Sequence, residues 1–243
     1  MNGASLYYEI LGEGEPLVLL HAGIADRRMW DEQFGAFAER YRVVRYDRRG
    51  FSRSALLEGP YSHHDDLRGL LDHLGIERAS FVGCSMGGGA VIDFALSNPE
   101  RARALVLVGS AVSGVESDET PPEEWEELVA ADEAGDLERV SELEVRIWVD
   151  GPYRDPGAVD PAVRDLVREM NLIALQSEAS GLGEIRASTL IVALDRPEIV
   201  ARSGLLAHSI PHAQRILMDG TAHLPNMEMS GEFNQAVLKF LAA

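Results

Sequence analysis

Five residues, Gly83-Cys84-Ser85-Met86-Gly87, carry the strongest chemical signal in this chain. They form a G-x-S-x-G pattern between a strand-like run, Ala79-Ser80-Phe81-Val82, and a helix-capable run, Gly88 to Leu96. A strand that turns directly into a helix holds its apex residue in strained backbone geometry with the side chain outward. A serine on such an apex is a candidate nucleophile. The pattern also arises by chance, and Gly-rich strand-to-helix turns also cradle phosphates. Neither phosphate signature is present: the chain has no G-x-x-x-x-G-K-[ST], and Gly83 to Gly89 lacks the G-x-G-x-x-G spacing. The partners a serine would need must decide between these readings.

A serine hydroxyl becomes an effective nucleophile when a neutral imidazole takes its proton, and a carboxylate must fix that imidazole's tautomer. On a strand-turn-helix scaffold the order along the chain is serine, acid, histidine, with each group following a strand. His223 lies beyond the strand-like run Arg215 to Met218, and Asp195 lies just after the run Ser188 to Ala193. Glu198 and Asp219 are the nearest alternatives to Asp195. The oxyanion formed during acyl transfer needs two donors. Met86 N–H, at the start of the following helix, is one. The second is expected from His21-Ala22-Gly23-Ile24, with Ile24 N–H the first choice and Gly23 N–H the alternative. His21 is expected to orient that loop. His63, His64 and His73 fall on one predicted helix and read as solvated. No histidine or cysteine spacing fits a metal site, so neither metal nor organic cofactor is expected.

Positioning these groups requires alternating strands and helices. Strands are expected at Leu6–Ile10, Pro16–His21, Tyr41–Tyr46, Ala79–Val82 and Arg103–Gly109, with helices over Met29–Arg40, Ser62–Leu74 and Gly88–Leu96. That order predicts an open, mostly parallel sheet. Continuous apolar runs such as Arg103–Gly109 suit parallel strands covered on both faces. From about Ala111 to Arg186 only helical patterns occur. Residues 1–111 and 186–243 are therefore expected to form the core, and 112–185 a helical cap over the strands' carboxyl ends. Trp125, Trp148 and Met170 are candidate substrate-binding residues of the cap, against the plainer role of packing its helices.

A chain of 243 residues can bury one sizeable core. Its 40 acids against 22 basic residues give a net charge of −18, which argues against nucleic-acid or membrane partners. Fourteen of the acids fall between Glu116 and Asp150 against Arg139 and Arg146, which reads as a solvated helical surface. Cys84 is the only cysteine, so no internal disulfide can form. With no secretory pattern at the N-terminus, a reducing, cytoplasmic setting is expected.

Together, His21-Ala22-Gly23, the run Tyr46-Asp47-Arg48-Arg49-Gly50-Phe51-Ser52-Arg53-Ser54, Gly83-x-Ser85-x-Gly87 and Gly220-x-x-His223 resemble the α/β-hydrolase superfamily. The likeness spans nearly the whole chain apart from the cap. It implies an α/β fold with a mostly parallel central sheet, helices on both faces and a helical lid inserted after the sixth strand. It also implies catalysis by Ser85, Asp195 and His223, and structural roles for Arg49 and Ser54. Among the branches, the chain is similar to the esterases, lactonases and non-metal haloperoxidases. The nucleophilic aspartate of the dehalogenase and epoxide-hydrolase branches is replaced here by Ser85. One departure is that Ile191-Val192-Ala193-Leu194-Asp195 is shortened relative to the usual Gly-x-x-Asp. The expected function is cleavage of a small-molecule carboxylic ester or lactone through an acyl-enzyme. The alternatives are a carbon–carbon bond hydrolase, a perhydrolase or haloperoxidase-like enzyme, or a low-turnover ligand-binding receptor on the same fold.

Overall fold

A computed structural model describes residues 5–56, 61–110, 121–151, 157–182, 189–194, 207–208, 211, 213–219 and 229–241. The chain divides into two units, Met1–Glu119 with Pro161–Ser177 and Thr120–Asp160 with Glu178–Ala243. The first unit is built on β1 (Tyr8–Leu11), β2 (Pro16–Leu20), β3 (Arg42–Tyr46), β4 (Ala79–Cys84) and β5 (Ala102–Val108). Their spatial order is β1-β3-β2-β4-β5, and only β1 runs antiparallel to its neighbour. Helices α1 (Asp31–Ala38), α2 (His63–His73) and α3 (Met86–Ser97) supply the crossovers that parallel strands need.

The two-residue period of the strands sorts their side chains into two layers. On one face Val18, Leu20, Val44, Tyr46 and Phe81 pack against Leu67, Leu70 and Leu71 of α2 and Ala90, Val91 and Phe94 of α3. On the other, Leu17, Leu19, Val43 and Val82 pack against Trp30 and against Phe34 and Phe37 of α1. Helices therefore cover both faces, as the βαβ pattern predicts. Strand β5 ends the described five-stranded sheet.

Between β4 and α3 the chain reverses within one residue. A Cβ added to Gly83 would lie 2.7 Å from Gly88 Cα, and one added to Gly87 would lie 2.5 Å from His21 O and 2.6 Å from Leu20 O. Those obstacles are backbone atoms, which cannot swing aside. The absence of side chains here is what lets α3 press onto β2 and β4.

The turn after β3 is held by polar contacts, in keeping with the structural roles expected for Arg49 and Ser54. Ser54 Oγ donates to Asp47 O at 2.7 Å and accepts Tyr7 N–H at 2.9 Å. Arg49 grips Asp66 through Nε at 2.8 Å and Nη2 at 2.6 Å, with both side chains buried. His63 corrects the sequence reading. It is not on a solvated helix face: its Nδ1 is buried without a partner among the described residues, and burial pushes its pKa down to about 3. Burial also drives His21, which follows β2, well below the usual histidine value.

The second unit contains α4 (Trp125–Glu133), α5 (Leu137–Val145), a single π-turn over Arg146–Asp150, and the parallel pair β6 (Leu190–Leu194) and β7 (Gln214–Met218). It ends in α7 (Ser230–Leu241). Arg215 of β7 pairs with Glu133 of α4 at 2.8 Å. Helix α6 (Pro161–Leu182) gives the first unit its residues through Ser177. None of the described helices is long and apolar enough to cross a membrane.

Two outcomes follow from this packing. Gly87→Ala should destabilise the fold by about 3 kcal/mol and remove activity; an unchanged melting temperature would contradict the contact. The buried histidines fix the sign of an acid effect. The unfolded chain binds their protons near pH 6.5, whereas folded His63 does so only at about 3 and folded His21 well below 6.5. Their contribution is thus complete above pH 6.5 and is lost as the pH falls toward the folded values. The loss is roughly 1 kcal/mol per pH unit for each histidine. Melting temperatures between pH 8 and 5 should be level at first and then fall below about 6.5; a flat profile would contradict the burial of both rings.

Candidate active site

Ser85 stands at the reversal with φ 51° and ψ −118°. Ser52 is the other non-glycine residue with positive φ among the described residues. Such backbone geometry costs on the order of 1–3 kcal/mol and persists only where its surroundings enforce it. Here Ser85 N–H donates to Val108 O of β5 at 2.8 Å, and Ser85 O accepts Gly89 N–H at 3.1 Å, opening α3. The residue is tied to a strand on one side and a helix on the other. Serine before a helix usually spends its hydroxyl on capping, yet Ser85 makes no side-chain capping bond and is exposed. Its Oγ is available for chemistry. The neighbouring Cys84 is half-buried, and burial raises its thiol pKa, which keeps it protonated and unreactive.

Met86 begins α3, so its N–H has no acceptor within the helix and lies at the positive end of the dipole. The expected second donor lies on the loop after β2. Ala25 N–H donates to Ala22 O at 3.4 Å, closing a turn whose central residues are Gly23 and Ile24. Among the described residues neither Gly23 N–H nor Ile24 N–H has an acceptor. Gly23 faces the elbow: a Cβ built on it would lie 3.0 Å from Met86 Cε.

Beneath this turn lies a buried polar group. Arg48 N–H donates to His21 Nε2 at 3.0 Å. That bond makes Nε2 the acceptor, so the neutral ring carries its proton on Nδ1 and donates it to Ala22 O at 2.8 Å. Arg48 Nη2 donates to the same carbonyl at 3.1 Å. Phe51 fills the space between, edge-on to His21 at 4.8 Å and under the Arg48 guanidinium at 4.6 Å. His21 thus orients the loop, as expected. Arg48 was not singled out by the sequence, where it reads as one more residue of the Asp47–Ser54 turn; two adjacent arginines carry no sign of which one is buried.

Helix α6 covers the loop from the other side. Met170 is 1% exposed, packs against Ala22 and Ala25, and its Sδ lies 3.4 Å from Asp26 N. Asp26 binds Arg28, which reaches Glu169 at 2.7 Å. Met170, expected as a substrate-binding residue, thus lies against the loop after β2. Trp125 and Trp148 belong to the second unit, where Trp125 is half-buried and Trp148 is 61% exposed. Asp195 immediately follows β6 and His223 comes after β7, the two strands expected to carry them. Both residues lie outside the described residues, as does Glu198; Asp219, at the end of β7, is exposed. No group of three or more metal-binding side chains occurs among the described residues.

Comparison with known proteins adds to this geometry. The profile of the alpha/beta hydrolase fold family matches residues 15–148, from β2 through the elbow to the π-turn. The chain is 31% identical, over 97% of its length, to 2-hydroxy-6-oxononadienedioate/2-hydroxy-6-oxononatrienedioate hydrolase 2 of Pseudomonas putida, covering 91% of that protein. A shorter match, 36% identical over 43% of the chain, covers 39% of the 2-hydroxy-6-oxo-6-phenylhexa-2,4-dienoate hydrolase of Comamonas testosteroni. Among solved structures, the enol-lactonase from Burkholderia xenovorans LB400 is 26% identical with a TM-score of 0.58, over 100% of this chain and 98% of that one. A parallel sheet flanked by helices, a strained serine at its strand-to-helix reversal and a family profile spanning both make this chain a member of the α/β-hydrolase family and an enzyme of the hydrolase class.

Proposed function

We propose that the protein is a serine hydrolase that cleaves a carboxylic ester or lactone of a small molecule. The observation that carries this reading is the exposed, uncapped Ser85 at a positive-φ apex, directly before the free amide of Met86. Ser85 Oγ attacks the carbonyl carbon as His223 takes its proton, and Asp195 steadies the resulting imidazolium. The carbonyl oxygen, now an anion, is held by Met86 N–H and by an amide of the Gly23–Ile24 turn. Ile24 was the first choice from the sequence, but Gly23 is better supported, since its peptide unit contains the clamped Ala22 carbonyl. Collapse of the tetrahedral intermediate breaks the carbon–oxygen bond, and His223 returns the proton to the leaving alcohol. Water activated by the same histidine then releases the acid. The cap, at about residues 112–185, would bound the acyl pocket, with Trp125 and Trp148 as its candidate apolar wall. A net charge of −18 disfavours strongly anionic partners.

A second reading has specific support. The relatives in Pseudomonas putida and Comamonas testosteroni are named as hydrolases of 2-hydroxy-6-oxo dienoates. Hydrolysis of such a compound at its ketone breaks a carbon–carbon bond. The same serine, histidine and oxyanion donors would serve it.

Ser85→Ala should lower turnover of the best ester or lactone by about 10⁴-fold or more while leaving the melting temperature unchanged. A fluorophosphonate probe should label the wild type at Ser85 and leave the variant unmodified. Retained turnover in the variant would remove Ser85 from the mechanism. Labelling without turnover of any ester or lactone, together with cleavage of a 2-hydroxy-6-oxo dienoate, would decide for carbon–carbon hydrolysis. Labelling with no turnover at all would leave the receptor reading.

A further inference from the structure

We propose that Arg48 is a positioning residue that aims one oxyanion donor, the Gly23 amide, by fixing the Ala22 carbonyl from below. The inference rests on the serine-hydrolase reading and adds to it a residue that touches no substrate. Its geometric basis is a single peptide unit. Ala22 C=O and Gly23 N–H belong to the same planar group, and the structure contains no cis peptide bond among the described residues. The N–H therefore points opposite to the carbonyl. That carbonyl receives Arg48 Nη2 at 3.1 Å, His21 Nδ1 at 2.8 Å and Ala25 N at 3.4 Å. With three donors converging on its oxygen, the peptide plane has little freedom to rotate. The Gly23 amide is turned away from the buried cluster, on a residue that lies against Met86 of the elbow.

Stability alone does not account for this arginine. Its side chain is 1% exposed, and among the described residues its Nε and Nη1 have no hydrogen-bond partner. Among the described residues no carboxylate pairs with it, in contrast to Arg49 beside it, which holds Asp66 bidentately. Tyr46 Oη and His63 Nδ1, also buried, likewise lack partners among the described residues. Burial pushes the guanidinium pKa down to about 10. A cation removed from water without an opposing charge destabilises a fold, and replacing it with an apolar side chain of similar volume is often neutral or stabilising. What Arg48 does accomplish here is the bond to Ala22 O and the stack on Phe51, which packs on His21.

The two roles separate cleanly in Arg48→Met, which keeps the length and apolar stem and removes the donors. Positioning predicts a kcat lower by about 10- to 100-fold, a KM within about threefold, and a melting temperature equal to or above that of the wild type. Affinity for a trifluoromethyl ketone, whose adduct with Ser85 carries the oxyanion, should fall in parallel with kcat. Arg48→Lys, which can still donate to Ala22 O, should recover part of both losses; it also provides the test should Arg48→Met fail to fold. A kcat within about twofold of wild type in Arg48→Met, or a loss matched by a lower melting temperature and absent from ketone affinity, would overturn the proposal. Failure of the underlying serine reading looks different: the ketone would then bind neither the wild type nor the variants.

Discussion

The close approach of backbone to backbone at Gly83 and Gly87 is the constraint on which the rest of the site depends. With Gly87 pressed onto the carbonyls of Leu20 and His21, α3 can start only where β4 ends, and one residue must make the reversal. Ser85 makes it at φ 51°. From that single conformation follow the exposure of the hydroxyl, its release from capping, and the direction of the Met86 amide along the helix axis. The same contact ties the elbow to the end of β2, the strand that leads into the Ala22–Ala25 turn. The elbow and the turn after β2 are thus held on one rigid scaffold rather than as independent loops.

Around that scaffold the molecule uses two kinds of polar burial. The pair Arg49–Asp66 is satisfied, bidentate and closed, and it fastens the turn after β3 to α2. The cluster of Arg48, His21 and Phe51 is a different case, because its cation is only partly bonded. Partial satisfaction costs stability, and in enzymes such costs concentrate where a geometry must be held for chemistry. Met170 closes the loop from the opposite side with apolar contact and a sulfur. The turn after β2 is therefore braced by a guanidinium below and a thioether above.

Much of this arrangement was legible in the sequence because it rests on local pattern. The short apolar strand runs at Pro16–Leu20 and Arg42–Tyr46, and the Gly-x-Ser-x-Gly turn, each specify geometry within a few residues. Ser54 and Arg49 were readable as structural through the resemblance of the Asp47–Ser54 run to the α/β-hydrolase turn. Features that depend on the third dimension were not readable. His63 looked like a polar residue at a helix start, yet Ser62 does the capping and the imidazole turns inward beside Arg48 and Arg49. Met170 carried only an apolar signal, which did not show that it would pack against Ala22 and Ala25.

The most direct measurement of the central claim is a crystal structure of the protein inhibited by a phosphonate at Ser85, in which the phosphoryl oxygen stands where the oxyanion would be. The account predicts phosphorus bonded to Ser85 Oγ, with that oxygen about 2.7–3.1 Å from Met86 N and from Gly23 N, and His223 within hydrogen-bond reach of the adduct. A phosphoryl oxygen turned to solvent, away from both amides, would contradict it.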